Sequence, residues 1–214
     1  MTNRKPPEPD SSGVNLSPAA VLDFWLGDGV ELGWPTKDSG KKWFSGGAAL
    51  DADIKARFGR LVTEALAGGL QDWEHQPLSR LALIIVLDQF ARNVFRGEAR
   101  AFDGDARTRR LVLDALAKKW DQQLPLVGRV FLYMPLMHAE SFELQEECVK
   151  RFSQLKDEAP PGLKANLQSN EDFAVKHRDI IARFGRFPHR NAALVRQSSP
   201  EEEVFLRDGP KFGQ

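Results

Sequence analysis

Residues 77–95 read PLSRLALIIVLDQFARNVF, and the fold follows from this stretch. A proline opens it, at a position where a helix does not need the missing N–H. Residues 81–87 are apolar without interruption. Such a run predicts a helix that is hydrophobic on every face and therefore buried on all sides. The same helix then turns polar at Asp88, Gln89, Arg92, Asn93 and Arg96. A buried helix thus ends in groups that must each find a partner.

The elements on either side are helical too. In residues 51–67, Ile54, Phe58, Leu61, Val62, Ala65 and Leu66 recur at three- and four-residue spacing, the amphipathic pattern, and Gly68-Gly69 ends it. Ser17-Pro18 opens a first helix as N-cap and first-turn proline, and Gly27 stops it. The glycine-rich segment that follows reads as a loop whose Trp34, Trp43 and Phe44 pin it to the core. Further helices are expected over 105–119, over 125–133 with a stop near Met134-Pro135, from Leu136 or Met137 to 155, and over 171–184 with Gly185 as a left-handed cap. Residues 164–170 read as a mobile loop, and Ser199-Pro200-Glu201-Glu202 as the capping box of a last short helix. Alternating β-branched runs are absent. The expectation is an all-α chain of consecutive helices packed as antiparallel hairpins.

The pentapeptide Ala-Arg-Phe-Gly-Arg occurs at 56–60 and again at 182–186. Context separates the copies. The first runs on into Leu61-Val62 and stays helical, whereas the second meets Phe187-Pro188, and a proline drives its predecessor out of the helical region.

Composition narrows the function classes. Of the 214 residues, 42% are hydrophobic and 28% charged, ordinary for a globular chain. We expect a disordered tail over residues 1–15 and a single helical-hairpin domain over 16–214. Thirty basic and thirty acidic side chains cancel, which argues against a nucleic-acid coat or a membrane-surface protein. The N-terminus lacks the apolar segment of a signal peptide, and the longest apolar run is too short to cross a bilayer. Cys148 is the only cysteine, which excludes an internal disulfide and a cysteine metal cluster. A cytoplasmic location is expected.

Three polar blocks stand out from this background. In the first, Asp88 and Arg92 are four apart and can pair, while Gln89, Arg92, Asn93 and Arg96 share one side. The block reads either as a ligand-facing cluster or as a network closing the helix end. The second block places His138 and Glu140 at the start of a helix. His-x-Glu occurs in metal and acid–base sites, but residues two apart on a helix do not face each other, and the zinc-protease pattern is absent. A core histidine is the competing reading.

The third block, residues 183–191, reads RFGRFPHRN. Arg186, His189 and Arg190 near a short helix with Asn191 as N-cap resemble an anion cradle. Alternatively, the arginines pair with acids elsewhere and lock the C-terminal helices. No Walker loop, dinucleotide fingerprint or Gly-x-Ser-x-Gly elbow is present, so neither cofactor nor metal is expected. Cys148 reads as a spectator thiol, and His75 and His177 as surface residues.

With Val21-Leu22-Asp23-Phe24-Trp25 and Trp43-Phe44, residues 87–93, 133–140 and 184–191 resemble the family called domain of unknown function 924. The resemblance covers nearly everything after the tail. It implies a right-handed, tetratricopeptide-like superhelix of antiparallel helix pairs, and it implies no activity. Ala91 stands where the family usually has proline, and Ala139 where it usually has serine, which removes a hydroxyl beside His138.

Three functional readings follow. In the first, Arg92, Asn93, Arg96, His138, Glu140, Arg186, His189 and Arg190 bind a small anion or an acidic peptide or protein partner, with no nucleic acid and no membrane involved. In the second, a hydrolase or transferase uses His138 or His189 as general base, oriented by Glu140 or Asp88. In the third, the blocks are structural networks.

Overall fold

The computed structural model describes residues 16–209; the expected disordered tail, residues 1–15, lies outside the described residues. In chain order the helices are α1 (Pro18–Leu26), α2 (Gly29–Leu32), α3 (Gly40–Ser45), α4 (Gly47–Leu66), α5 (Pro77–Ile84), α6 (Ala91–Val94), α7 (Asp105–Ala117), α8 (Leu126–Met137), α9 (Phe142–Glu158), α10 (Lys164–Phe184) and α11 (Pro200–Asp208). No strand occurs among the described residues, and the all-α expectation holds.

The serine caps anticipated at the starts of the first and last helices are present. Ser17 Oγ accepts from Ala20 N at 3.3 Å, and Ser199 and Glu202 form the reciprocal capping box of α11. The two pentapeptide copies diverge as expected. Gly59 lies within α4, whereas Gly185 takes φ = 68° and ends α10 in the left-handed region that glycine adopts freely.

The helix over 77–95 is continuous but not uniform. Between α5 and α6 the turn over Ile85–Phe90 is π-helical, with Ala91 N donating to Val86 O. Residues 81–87 are fully buried, because α1, α4, α7 and α8 pack around this helix and leave it no solvent face. Widened turns of this kind cluster at functional sites, and this one carries Asp88 and Gln89.

Several expectations need correction. The glycine-rich segment holds two short helices, α2 and α3; Trp34 and Trp43 pack on the core, but Phe44 is 48% exposed. Helix α4 starts at Gly47, four residues before Asp51. Pro135 does not stop α8, which runs on to Met137. A proline inside a helix costs about 3 kcal/mol, but Val130 through Met137 are all buried, and their packing offsets it. The break falls instead at residues 138–141, with Ser141 as N-cap of α9, so His138 and Glu140 lie in a connection rather than on a helix.

Residues 164–170 are not a loop: they form the first turns of α10, anchored by fully buried Leu167. His177 is 6% exposed, not a surface residue, whereas His75 is exposed as expected. Asn191 caps no helix; it follows the turn Pro188–Arg190 and accepts from Arg196 Nε at 2.9 Å. Helices α8, α9 and α10 pack consecutively across the short links 138–141 and 159–163. Among the described residues, no helix is long and apolar enough to cross a membrane.

Candidate functional site

The π-turn delivers Asp88 into the core, where it is 1% exposed. A buried carboxylate is costly unless it is paired and hydrogen-bonded. Asp88 meets both conditions. Its Oδ1 lies 2.8 Å from His138 Nδ1 and 3.1 Å from Arg92 Nη2, and its Oδ2 accepts from Gln89 Nε2 at 2.6 Å. Burial works against the charge, but the His138 ring and the Arg92 guanidinium beside it hold the Asp88 carboxyl well below the usual carboxylate range.

His138 responds in the opposite sense. Burial pushes its pKa down and outweighs the pull of Asp88, so the ring is neutral at neutral pH. An ionised carboxylate only accepts hydrogen bonds, which puts the single ring proton on Nδ1 and the lone pair on Nε2. This is the tautomer a general base requires.

Behind the pair lies a closed ionic network. Arg92 Nη2 reaches Asp105 Oδ1 at 2.8 Å, and Arg190 Nη1 reaches Asp105 Oδ2 at 3.3 Å. Arg190 Nη2 also donates to the His138 carbonyl at 3.0 Å, tying the third block to the second. Both guanidiniums lie over the ring of Phe102, at 5.2 and 4.8 Å from its centroid. Burial and the neighbouring Arg92 bring Arg190 down to about 10, which leaves it protonated at neutral pH. Two carboxylates and two guanidiniums cancel, and the histidines around them are neutral. Burial lowers both His177 and His189 to about 3, aided by neighbouring positive groups. His177 Nδ1 donates to Phe173 O at 2.7 Å, and its ring lies 6.2 Å from that of His138.

His138 lines a cavity of about 600 Å³, with Asp88 behind it. Met134, Met137 and Phe152 form part of its apolar wall; Gln89, Arg92, Asn93, His138 and His177 supply polar groups. A concave, mostly apolar pocket with a few converging polar groups and perturbed titration is the arrangement expected of a small-molecule site. A second cavity of about 400 Å³ adjoins it and shares Trp43, Phe44, Val130 and Asn170 as a common wall.

The sequence candidates divide in two. Arg92, Asn93, Arg96 and His138 line the larger cavity. Arg96 is held by Asp51 through two hydrogen bonds of 2.8 and 2.9 Å, and Asn93 donates to Gln89 O at 2.8 Å. Glu140, Arg186, His189 and Arg190 do not line it. Glu140 is turned away, accepting from Arg196 at 2.7 and 2.9 Å and from Phe187 N at 2.8 Å, so it does not orient His138; Asp88 does. Arg186 is clamped by Glu202 at 2.6 and 2.7 Å.

Two participants escaped the sequence reading. His177 had a usable signal, since it lies three residues after buried Ala174 and four before buried Ile181, on the inner stripe of α10. Asp105, at the start of α7, had none. Among the described residues, no three His, Cys, Asp or Glu side chains are gathered so as to hold a metal ion.

The chain is similar in fold and sequence to the solved structure of a protein of unknown function, ATU0120, from Agrobacterium tumefaciens. The two share 34% identity over 90% of this chain and 97% of that one, with a TM-score of 0.74. No curated protein matches. The family model described as "Bacterial protein of unknown function (DUF924)" matches residues 21–210, and the chain belongs to that family.

Proposed function

We propose that this protein is an enzyme, a hydrolase or transferase, in which His138 acts as general base on a small molecule held in the 600 Å³ cavity. One observation carries the reading: the His138 imidazole stands on the cavity wall with its Nδ1 2.8 Å from Oδ1 of buried Asp88. The Nε2 lone pair can then take a proton from water or from a substrate hydroxyl, with Asp88 stabilising the imidazolium that forms. His189, the other candidate base, does not line the cavity.

The reading of a basic polar pocket for a small anion or an acidic peptide is less well supported, because the arginines that suggested it already meet carboxylates. Arg92 pairs with Asp88 and Asp105, Arg96 with Asp51, Arg186 with Glu202 and Arg190 with Asp105. For the third block these pairs favour a second, structural reading, in which Arg186, Arg190 and Arg196 fasten the C-terminal segment to the site. The tetratricopeptide-like stacking and the cytoplasmic location expected from sequence belong to this proposal.

The test is turnover of a panel of p-nitrophenyl esters, thioesters and phosphoesters by the wild type and by His138→Gln. Loss of a general base should lower kcat/KM by about 10²–10⁴-fold while the melting temperature stays near that of the wild type. Equal turnover by the variant, or no turnover of any panel member by the wild type, contradicts the proposal.

A further inference from the structure

The cavity of about 400 Å³ beside the His138 site has a chemistry of its own. Trp34, Trp43 and Phe44 give it an aromatic side, and Asn166, Ser169 and Asn170 of α10 give it a neutral polar side. Asn166 and Ser169 are exposed and Asn170 is half-buried. Among the described residues, none of these three side chains has a hydrogen-bond partner, so their donors and acceptors are open to a ligand. Asp38 is the one charged side chain among the described residues that line the cavity.

The aromatic side is fixed in advance. Trp43 Nε1 donates to Trp25 O at 2.8 Å, so the polar edge of the indole is spent and its remaining surface is apolar. Its ring packs 5.1 Å from that of Phe131 and 6.2 Å from that of Trp34, the latter at 89°. Thr36 N and Oγ1 both bond the Asp28 carboxylate, which ties down the segment after Trp34. A wall held this way loses little freedom when a ligand arrives.

The lining selects the chemistry of that ligand. An anion meets a carboxylate and no Lys or Arg. A cation is disfavoured because Asp38 already accepts from Gly40 N at 2.9 Å and is flanked in sequence by Lys37 and Lys41. A hydrocarbon would strip water from the two asparagines and the serine without replacing its hydrogen bonds. A sugar ring meets both sides: its C–H face packs on an indole, and its hydroxyls, donors and acceptors at once, match amide and hydroxyl groups.

The two cavities are also joined. Asn166, Asn170, Phe173 and His177 follow at spacings of four, three and four, one stripe of α10. Asn166 lines the smaller cavity, Phe173 and His177 the larger, and Asn170 both. We infer that the smaller cavity is a subsite for an uncharged sugar ring, and that the ligand is a glycoside whose apolar substituent passes Asn170 and Trp43 into the methionine- and phenylalanine-lined cavity. This goes beyond the general-base reading and stands without it.

The experiment titrates the full chain with the methyl pyranosides of glucose, galactose and mannose, followed by the indole N–H resonances of Trp34 and Trp43 and the Asn170 side-chain amide in ¹⁵N-labelled protein. At least one should shift all three resonances saturably. Its phenyl counterpart should bind about tenfold tighter or better and also shift the methyl groups of Met134 and Met137, which line the larger cavity. Asn170→Ala should weaken binding about fivefold or more with an unchanged melting temperature, and so should Trp34→Ala. If the tryptophan variant does not fold, Asn170→Ala decides. The inference is overturned if no methyl pyranoside binds, if binding leaves the two indoles in place, if cyclohexanol binds as tightly as the sugar, if phenyl and methyl glycosides bind equally, or if Asn170→Ala binds like the wild type. The general base is judged separately, by turnover in His138→Gln, so failure of either reading is recognisable by itself.

Discussion

His138 Nδ1 lies 2.8 Å from Asp88 Oδ1, although fifty residues separate them in sequence. Asp88 comes from the π-turn within the most buried helix, and His138 from the link between α8 and α9. The contact exists because α8 runs past Pro135 to Met137, which sets His138 at the helix end against the buried carboxylate. Arg190 then secures the link from behind through the His138 carbonyl.

Arg190→Ala should be strongly destabilising. It leaves Asp105 with Arg92 as its remaining ion-pair partner and strips the His138 carbonyl of its donor. Breaking a buried pair by removing one partner costs about 3–5 kcal/mol. Urea denaturation measures the loss, and a change under about 1 kcal/mol would mark the network as unimportant to stability.

Stability should fall on acidification through the buried histidines. His177 and His189 have folded values of about 3 against an ordinary 6.5. Between those values the unfolded chain binds more protons than the folded one, so unfolding free energy declines as pH drops below 6.5. Each histidine contributes a slope of up to about 1.4 kcal/mol per pH unit in that window. Denaturation series from pH 7 to 4.5 check this, and His177→Phe should flatten the slope.

A separate acid effect belongs to Glu202. Its hydrogen bond from Arg186 is the main cause that lowers its pKa from 4.5 to about 2. The stabilisation is complete above the unfolded value of 4.5 and is lost as pH falls toward 2. Glu202→Gln should cost roughly 2 kcal/mol at neutral pH and little at pH 2.5. An equal cost at both values would refute a charge-based role for the Arg186–Glu202 clamp.

Cys148 should be inert in the folded chain. It is fully buried, and burial pushes its thiol well above its ordinary value, with Glu147 adding to the shift. A thiol reagent such as dithionitrobenzoate should react only through unfolding, at a rate that rises with urea. Rapid reaction of the native protein would contradict the burial.

Much of the fold could be read in the chain because local rules and burial agreed there. The apolar run at 81–87, the spacing in α4, the box at Ser199 and the cap at Gly185 each state their structure locally. The sequence misled where tertiary packing overrode local preference. Pro135 reads as a helix stop, but eight consecutive buried residues carry α8 through it. Residues 164–170 read as a mobile loop, but Leu167 anchors them as helix.

The candidate site was legible as residue types rather than as a geometry. Asp88, Arg92 and His138 stood out because polar groups beside apolar runs must be satisfied. That His138 meets Asp88 rather than Glu140 depends on where α8 ends, and that Arg190 meets Asp105 is a contact across 85 residues with no local signature.

The proposed chemistry requires His138 to be a neutral base with its proton on Nδ1. Long-range ¹H–¹⁵N correlation of the histidine rings at neutral pH tests it most directly. The expected result is a protonated Nδ1 and an unprotonated Nε2 for His138, with a titration midpoint below 6.5. A proton on Nε2, or an imidazolium at neutral pH, would contradict it.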